Sequence, residues 1–193
     1  MKLVFATHNK NKVTEIQQLL PDTVEILTLT DIGCHEDIPE TADTIEGNAL
    51  LKARYVFDKF GYPCFADDTG LEVTALNNEP GVYSARYAGE PSNSEANIEK
   101  LLKNLENQKD CSARFKTVIA LVGNSGEKMF TGICEGTIIK ERKGTSGFGY
   151  DPIFVPTGFD KTFAEMTLEE KGAISHRGKA VRALVERLLA DGY

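Results

Sequence analysis

The chain has 193 residues, 41% of them hydrophobic, and a formal net charge of −7 at pH 7. That length suits one domain, or two closely packed lobes, with enough apolar material for a core. The acidic balance excludes a general nucleic-acid or anionic-membrane binder, since both need a basic surface, but leaves room for a small polyphosphate that needs only a few cations in one pocket.

Leu3-Val4-Phe5-Ala6 predicts a short buried strand. The run is too short for a signal peptide or a membrane helix. Cys34, Cys64, Cys111 and Cys134 show no C-x-x-C spacing, so neither a zinc ribbon nor a redox motif is indicated, and reduced thiols in the cytoplasm are expected. The polar run Thr7 to Lys12 leads into a helix whose apolar face is Val13, Ile16, Leu19 and Leu20, stopped by Pro21. Backbone N–H groups at a helix start attract anions. Thr7 and Asn9 add side-chain donors and Lys12 a cation, though the same residues also suit a capped helix with solvent lysines.

Val24 to Leu29 is a further strand candidate. A long helix is predicted from Thr44 to Phe60, with Ile45, Ala49, Ala53, Val56, Phe57 and Phe60 at helical spacing. Asp43 and Glu46 resemble a capping box, and Gly61 is a natural stop. Glu40 stands just before this helix. Lys52 lies at the edge of its apolar stripe, and either snorkels outward or points into a polar pocket. Asn48, one turn earlier on the same side, favours the pocket.

Cys64-Phe65-Ala66 reads as a buried strand that ends abruptly in Asp67-Asp68-Thr69-Gly70. Adjacent acids after a buried run need a cation or donors, unless they form a solvated turn. Magnesium is the usual hard partner of carboxylates beside phosphates. Ile98, Leu101, Leu102 and Leu105 mark a third helix capped by Asn93 or Ser94. Phe115 to Val122 and Met129 to Ile138, joined through Gly123 to Gly126, predict a hairpin.

Gly144 to Phe154 is a glycine-rich loop carrying Phe148, Tyr150 and Asp151. Glycine permits close backbone approach, an aromatic offers a flat face, and an acid accepts hydrogen bonds. The combination suits a planar polar ring such as a nucleobase; an ordinary turn before a strand has the same composition. Lys171 to Gly178 places Ser175, His176 and Arg177 at the start of a last helix bearing Val181, Leu184, Val185 and Leu188. It imitates a P-loop, but has one residue too many between its glycines and Ala180 where a metal-binding hydroxyl belongs. Interleaved strands and helices with one hairpin predict an α/β protein on a mixed sheet.

Taken in order, these segments resemble the inosine triphosphate pyrophosphatase, or Ham1-like, family over nearly the whole chain. Its T-x-N-x-x-K pattern is Thr7, Asn9 and Lys12, and its acidic position before the long helix is Glu40. The E-N-A-x-x-K-A element appears as Gly47 to Ala53, and A-D-D-S-G-L as Ala66 to Leu71. Tyr83 to Gly89, Phe148 to Asp151, and Ser175-His176-Arg177 complete the set. Thr69 stands where the family commonly has serine, which keeps the hydroxyl, and Gly47 where an acid is common.

The resemblance implies a single domain over residues 1–193. It implies a mixed twisted β-sheet flanked by helices, in two lobes with the active site in the cleft between them. It implies Mg²⁺-dependent hydrolysis of ITP, dITP and XTP to the monophosphate and pyrophosphate, in a cytoplasmic homodimer that cleanses the nucleotide pool. Glu40 and Asp68 would hold the metal. Asp68 would orient or deprotonate the attacking water, Lys52 would neutralise developing charge, and Asp67 is an alternative support for the metal. Thr7, Asn9, Lys12 and Lys52 would form the phosphate half, and Thr69 would contact substrate. Phe148 and Tyr150 would meet the base, with Asp151, Lys171, His176 and Arg177 at its edge and ribose. A nucleotide sensor without turnover, or a pyrophosphatase for modified pyrimidine or methylated nucleotides, are the competing readings.

Overall fold

The computed structural model describes residues 2–191. Along them run β1 (Lys2–Phe5), α1 (Lys10–Gln17), β2 (Glu25–Leu27), α2 (Ile45–Phe60), β3 (Cys64–Val73) and β4 (Pro80–Gly81). Then follow α3 (Ser94–Asn104), β5 (Ser112–Gly123), β6 (Gly126–Ile138), β7 (Phe154–Pro156), α4 (Leu168–Ile174) and α5 (His176–Ala190). The strands form one sheet in the order β2-β1-β3-β5-β6-β7, with β4 beside β3. β1 is parallel to β2 and β3, whereas β3–β4 and β6–β7 are antiparallel. The fold is therefore a mixed α/β sheet, as the interleaved pattern predicts. Among the described residues, no helix is long and apolar enough to cross a membrane, and the four cysteines are free thiols.

Two compact units share the chain, and β3, β5 and β6 supply residues to both. The first comprises the chain up to Asp68, Thr117–Gly132, and the chain from Arg177 onward. Its core joins Leu3 and Phe5 of β1, Ile16 of α1, Phe65 of β3 and Ile119 of β5 to Ala180, Val181, Leu184 and Leu188 of α5. Phe5 and Phe65 are register partners on parallel strands, and their rings stack at 4.6 Å. Each large apolar side chain buried in this way contributes about 1.5–3 kcal/mol.

The second unit comprises Thr69–Lys116 and Ile133–His176. Its core is aromatic: the Phe154 ring lies 4.7 Å from Phe115 and 5.0 Å from Phe163. Gly136 of β6 makes room for Phe154. A Cβ there would fall 2.5 Å from the ring and 2.4 Å from the Val155 carbonyl oxygen.

Three local expectations shift. The cap of α2 is Thr44, whose hydroxyl accepts from the Gly47 N–H, and not Asp43. Thr44 is the last residue in extended conformation, so its oxygen is the one in reach. Helix α1 ends at Gln17, before Leu19 and Leu20. Strand β3 does not stop at Ala66 but runs through both acids to Val73. Cations brought in from other elements compensate the carboxylates, so the backbone need not leave the sheet. The stop of α2 is as expected, with Gly61 at φ 74°, a region glycine enters without a Cβ penalty.

Candidate active site

The first unit gathers charge around β3. Asn9 caps α1, its Oδ1 accepting from the Asn11 and Lys12 N–H groups at 3.0 and 3.2 Å, while its own N–H donates to Thr7 Oγ1. This cap sets the first turn of α1 so that Lys12 reaches β3 and donates to Asp67 Oδ1 at 3.0 Å. Arg177, only 2% exposed in the first turn of α5, donates to the other Asp67 oxygen from Nε and Nη2 at 3.2 and 3.1 Å. Its Nη1 donates to Glu15 at 2.5 Å. Burial pushes the Asp67 carboxyl up, but Lys12, Arg177 and Lys52 together outweigh it and hold the group far below the usual carboxylate range. Burial also lowers the Lys12 ammonium; Asp67 opposes that fall, and Lys52 and Arg177 add to it. Asp67 is thus a committed anion and a poor proton acceptor.

Asp68, the next residue, is in a different state. Successive strand residues point to opposite faces, and Asp68 meets Lys52, whose Nζ lies 3.7 Å from Oδ1. Lys52 is buried and donates to Glu40 at 2.5 Å. It therefore points inward, resolving the alternative of an outward-snorkelling lysine. Burial pulls the Lys52 ammonium down, but Asp68, Glu40 and Asp67 raise it by more, so it stays protonated. The Asp68 carboxyl is pushed up to about 6. Burial is the main cause; Lys52 and Lys12 oppose it, and the negative charges of Glu40 and Asp67 reinforce it. Its Oδ2 is buried and has no hydrogen-bond partner among the described residues. A carboxylate with a near-neutral pKa and an unbonded oxygen suits general-base work.

The same donor set fits a hard cation. Glu40 and Asp68 offer carboxylate oxygens, one of them unbonded. Among the described residues, no group of three or more histidine, cysteine or acidic side chains could cage a metal. A divalent ion held here would complete its shell from phosphate oxygens and water, the usual habit of magnesium.

The second unit holds an aromatic group. Gly147 has φ 73°, and a Cβ there would lie 2.0 Å from Asp151 Oδ2. That oxygen accepts from the Phe148 N–H at 2.9 Å and from Lys171 Nζ at 2.7 Å. Asp151 thus fastens the glycine loop to α4, and Lys171 Nζ sits 5.1 Å from the centre of the half-buried Phe148 ring. The buried His176 ring stacks on Phe115 at 4.6 Å. Thr69 follows Asp68 on β3 and is half-buried.

Two expected ligand residues have partners within the protein. Tyr150 is only 4% exposed, lies in the second unit's apolar cluster, and donates its hydroxyl to the Ser84 carbonyl at 2.7 Å. It is a core residue of the loop, and burial raises its phenol. The Arg177 guanidinium is held by Asp67 and Glu15 in the first unit, since a buried guanidinium requires carboxylate partners. Glu15 itself escapes sequence reasoning, since it reads as one more acid on an amphipathic helix. Its one signal is the i, i+3 spacing from Lys12, which puts both on one face of α1.

The Ham1 family profile matches residues 3–187. A dITP/XTP pyrophosphatase of Flavobacterium johnsoniae is 64% identical over 190 residues, covering 98% of this chain and 99% of that protein. Among solved structures, the Staphylococcus aureus Ham1 protein aligns with a TM-score of 0.90 at 42% identity, covering 99% of this chain and 100% of that one. A HAM1 protein from Coxiella burnetii aligns at 0.91 and 41%, covering 98% and 99%.

Proposed function

Because the chain belongs to the Ham1 family, we propose that it hydrolyses deaminated purine nucleoside triphosphates, ITP, dITP and XTP, to the monophosphate and pyrophosphate. The observation that carries the reading is Asp68, near-neutral and partly unbonded, beside Lys52 and Glu40. Ionised Asp68 takes a proton from water as the water oxygen attacks the α-phosphorus. The bond from that phosphorus to the bridging oxygen breaks, and pyrophosphate departs with the bond's electrons. Lys52 and Lys12 offset charge that grows on the phosphate oxygens, with Thr7, Asn9 and Thr69 as further phosphate contacts. Mg²⁺, held by Glu40 and Asp68, would supply charge neutralisation of the polyphosphate.

Base choice rests on Phe148 as a stacking face and on donors from Lys171, His176 and Arg177. Hypoxanthine and xanthine carry an oxygen acceptor at C6, whereas adenine carries an amino donor. Donor facing donor leaves buried groups unsatisfied, at about 1–3 kcal/mol each. In this reading Asp67 and Glu15 fix the plane of the Arg177 guanidinium, and Asp151 fixes Lys171. A cytoplasmic homodimer is proposed with the activity.

The test is a panel of nucleoside triphosphates with magnesium, assayed separately for pyrophosphate and orthophosphate. Pyrophosphate from ITP, dITP and XTP far faster than from ATP is expected. Orthophosphate as the product would overturn the α-phosphorus reading. A pyrimidine preference would favour the modified-nucleotide enzyme, and release from no substrate would favour a sensor.

A further inference from the structure

Glu40 lies on a short segment ahead of α2, and one face of that helix grips this segment at two points. Lys52 holds the Glu40 carboxylate at 2.5 Å. One turn earlier, Asn48 Oδ1 accepts from the Ala42 N–H at 2.9 Å. The first turn of α2 approaches the same segment closely. A Cβ on Gly47 would lie 2.6 Å from Ala42 Cβ and 3.0 Å from Thr44 Oγ1.

Asn48 is 0% exposed, and its Nδ2 has no hydrogen-bond partner among the described residues. Asparagine is a weaker helix former than alanine or leucine, and a buried donor without an acceptor is unfavourable. Helix formation and packing alone would favour an apolar residue here. The side chain is nevertheless bonded to the segment that carries a site carboxylate.

We propose that Asn48 is a positioning residue for Glu40. It docks residues 40–44 on α2, so that Glu40 and Asp68 share the Lys52 ammonium and together can hold a divalent cation. The lack of a side chain at Gly47 permits the same docking from the helix start. This inference rests on the reading of Glu40 and Asp68 as the metal carboxylates.

The experiment follows Mn²⁺ binding to the full chain by electron paramagnetic resonance, without nucleotide, with thermal melting as a control of folding. Asn48→Ala is expected to weaken Mn²⁺ binding about tenfold, the lower end of the range for losing a partner that orients a metal ligand. Asn48→Asp keeps an acceptor for the Ala42 N–H and is expected to recover most of that loss. Gly47→Ala is expected to weaken binding in the same direction. Asn48 acts through Glu40, so Asn48→Ala should add nothing in a Glu40→Gln background, whereas an unrelated structural effect would be additive.

Wild-type Mn²⁺ affinity in folded Asn48→Ala, or additivity with Glu40→Gln, would overturn the inference. If Asn48→Ala fails to fold, Gly47→Ala and its cycle with Glu40→Gln decide in its place. Failure of the wild-type protein itself to bind Mn²⁺, both alone and with inorganic pyrophosphate added to supply phosphate oxygens, would overturn both this inference and the metal reading beneath it. Binding by the wild type that Asn48→Ala and Gly47→Ala leave unchanged would remove this inference alone.

Discussion

In the unit built on β1 and α5, Lys12, Lys52 and Arg177 meet Glu15, Glu40, Asp67 and Asp68. In the other, Lys171 meets Asp151 beside Phe148. The second is an ion pair fastened to a loop. The first is a set of linked pairs in which cations are shared between carboxylates. Within it the Asp68 pKa rises to about 6, mainly through burial, while Asp67, with two cations bonded to it, is held low. Adjacent residues of one strand are therefore driven in opposite directions. A fastened pair gives a fixed shape, and a shared group with an unbonded oxygen gives a site able to accept a proton or a cation.

The comparison breaks most severely if metal is withdrawn. Excess chelator should abolish turnover, magnesium should restore it, and the protein should stay folded throughout, because two carboxylates do not make a structural staple. Full activity in chelator would remove the metal from the shared carboxylate group.

Asp67→Ala should cost about 3–5 kcal/mol of stability, the usual result of removing one partner from a buried ion pair, read as the shift of a urea unfolding curve. Asp68→Asn should instead lower turnover by about 10²-fold or more, the scale of losing a general base. At pH 8 it should leave the protein as stable or more stable, by up to about 2–3 kcal/mol, since a shift of one pKa unit corresponds to about 1.4 kcal/mol. Equal effects of the two substitutions on stability would erase the distinction between the acids.

The same contrast has a pH signature. Asp68 titrates higher in the folded chain than its ordinary value of 3.8. The folded state therefore binds more protons between those values. Its favourable contribution is complete below about pH 4 and is lost as pH rises through about 6. Asp67 is depressed, so its contribution is present above its ordinary value and is lost as pH falls below it toward the folded pKa. Turnover needs ionised Asp68 and should fall as pH drops, with a midpoint below that of the metal-free protein, because a cation bound beside the carboxylate favours its ionised form. Melting temperatures of the metal-free protein across pH 3–8 test both signs, and in Asp68→Asn the fall in stability through pH 6 should vanish.

Smaller effects test the aromatic side. Phe148→Ala should weaken handling of every purine triphosphate by about 1–3 kcal/mol, the range for loss of one base–aromatic stack. Arg177→Lys keeps the charge but loses the planar fork, and should narrow the preference for ITP over ATP by about 1 kcal/mol, one hydrogen bond. Slowing of ITP and ATP by the same factor would leave Arg177 only the task of holding Asp67.

Much of this was legible along the chain. The period of Ile45, Ala49, Ala53 and Val56 and the stop at Gly61 locate α2, and polar islands at element ends mark the residues that gather at β3 and around Phe148. Tyr150 misleads because a glycine loop suggests exposure, whereas its hydroxyl finds Ser84, 66 residues earlier. Asp67 and Asp68 look alike as adjacent letters, and the end of the strand at Ala66 follows only if nothing arrives to compensate them.

Period, capping residues and turn glycines act over a few residues, so the sequence by itself determined most of the helices and strands, though not the length of β3 or the presence of α4. Partnership acts over distances that no local pattern encodes. Arg177 reaches Asp67 across 110 positions and Glu15 across 162. Only the tertiary structure decided that Asp67 would be bonded by two cations while Asp68 was left buried with Lys52 at 3.7 Å and an oxygen that bonds to none of the described residues. The physical reason is that desolvation and Coulomb energy depend on what is packed nearby in space, and those neighbours come from α1, α2 and α5.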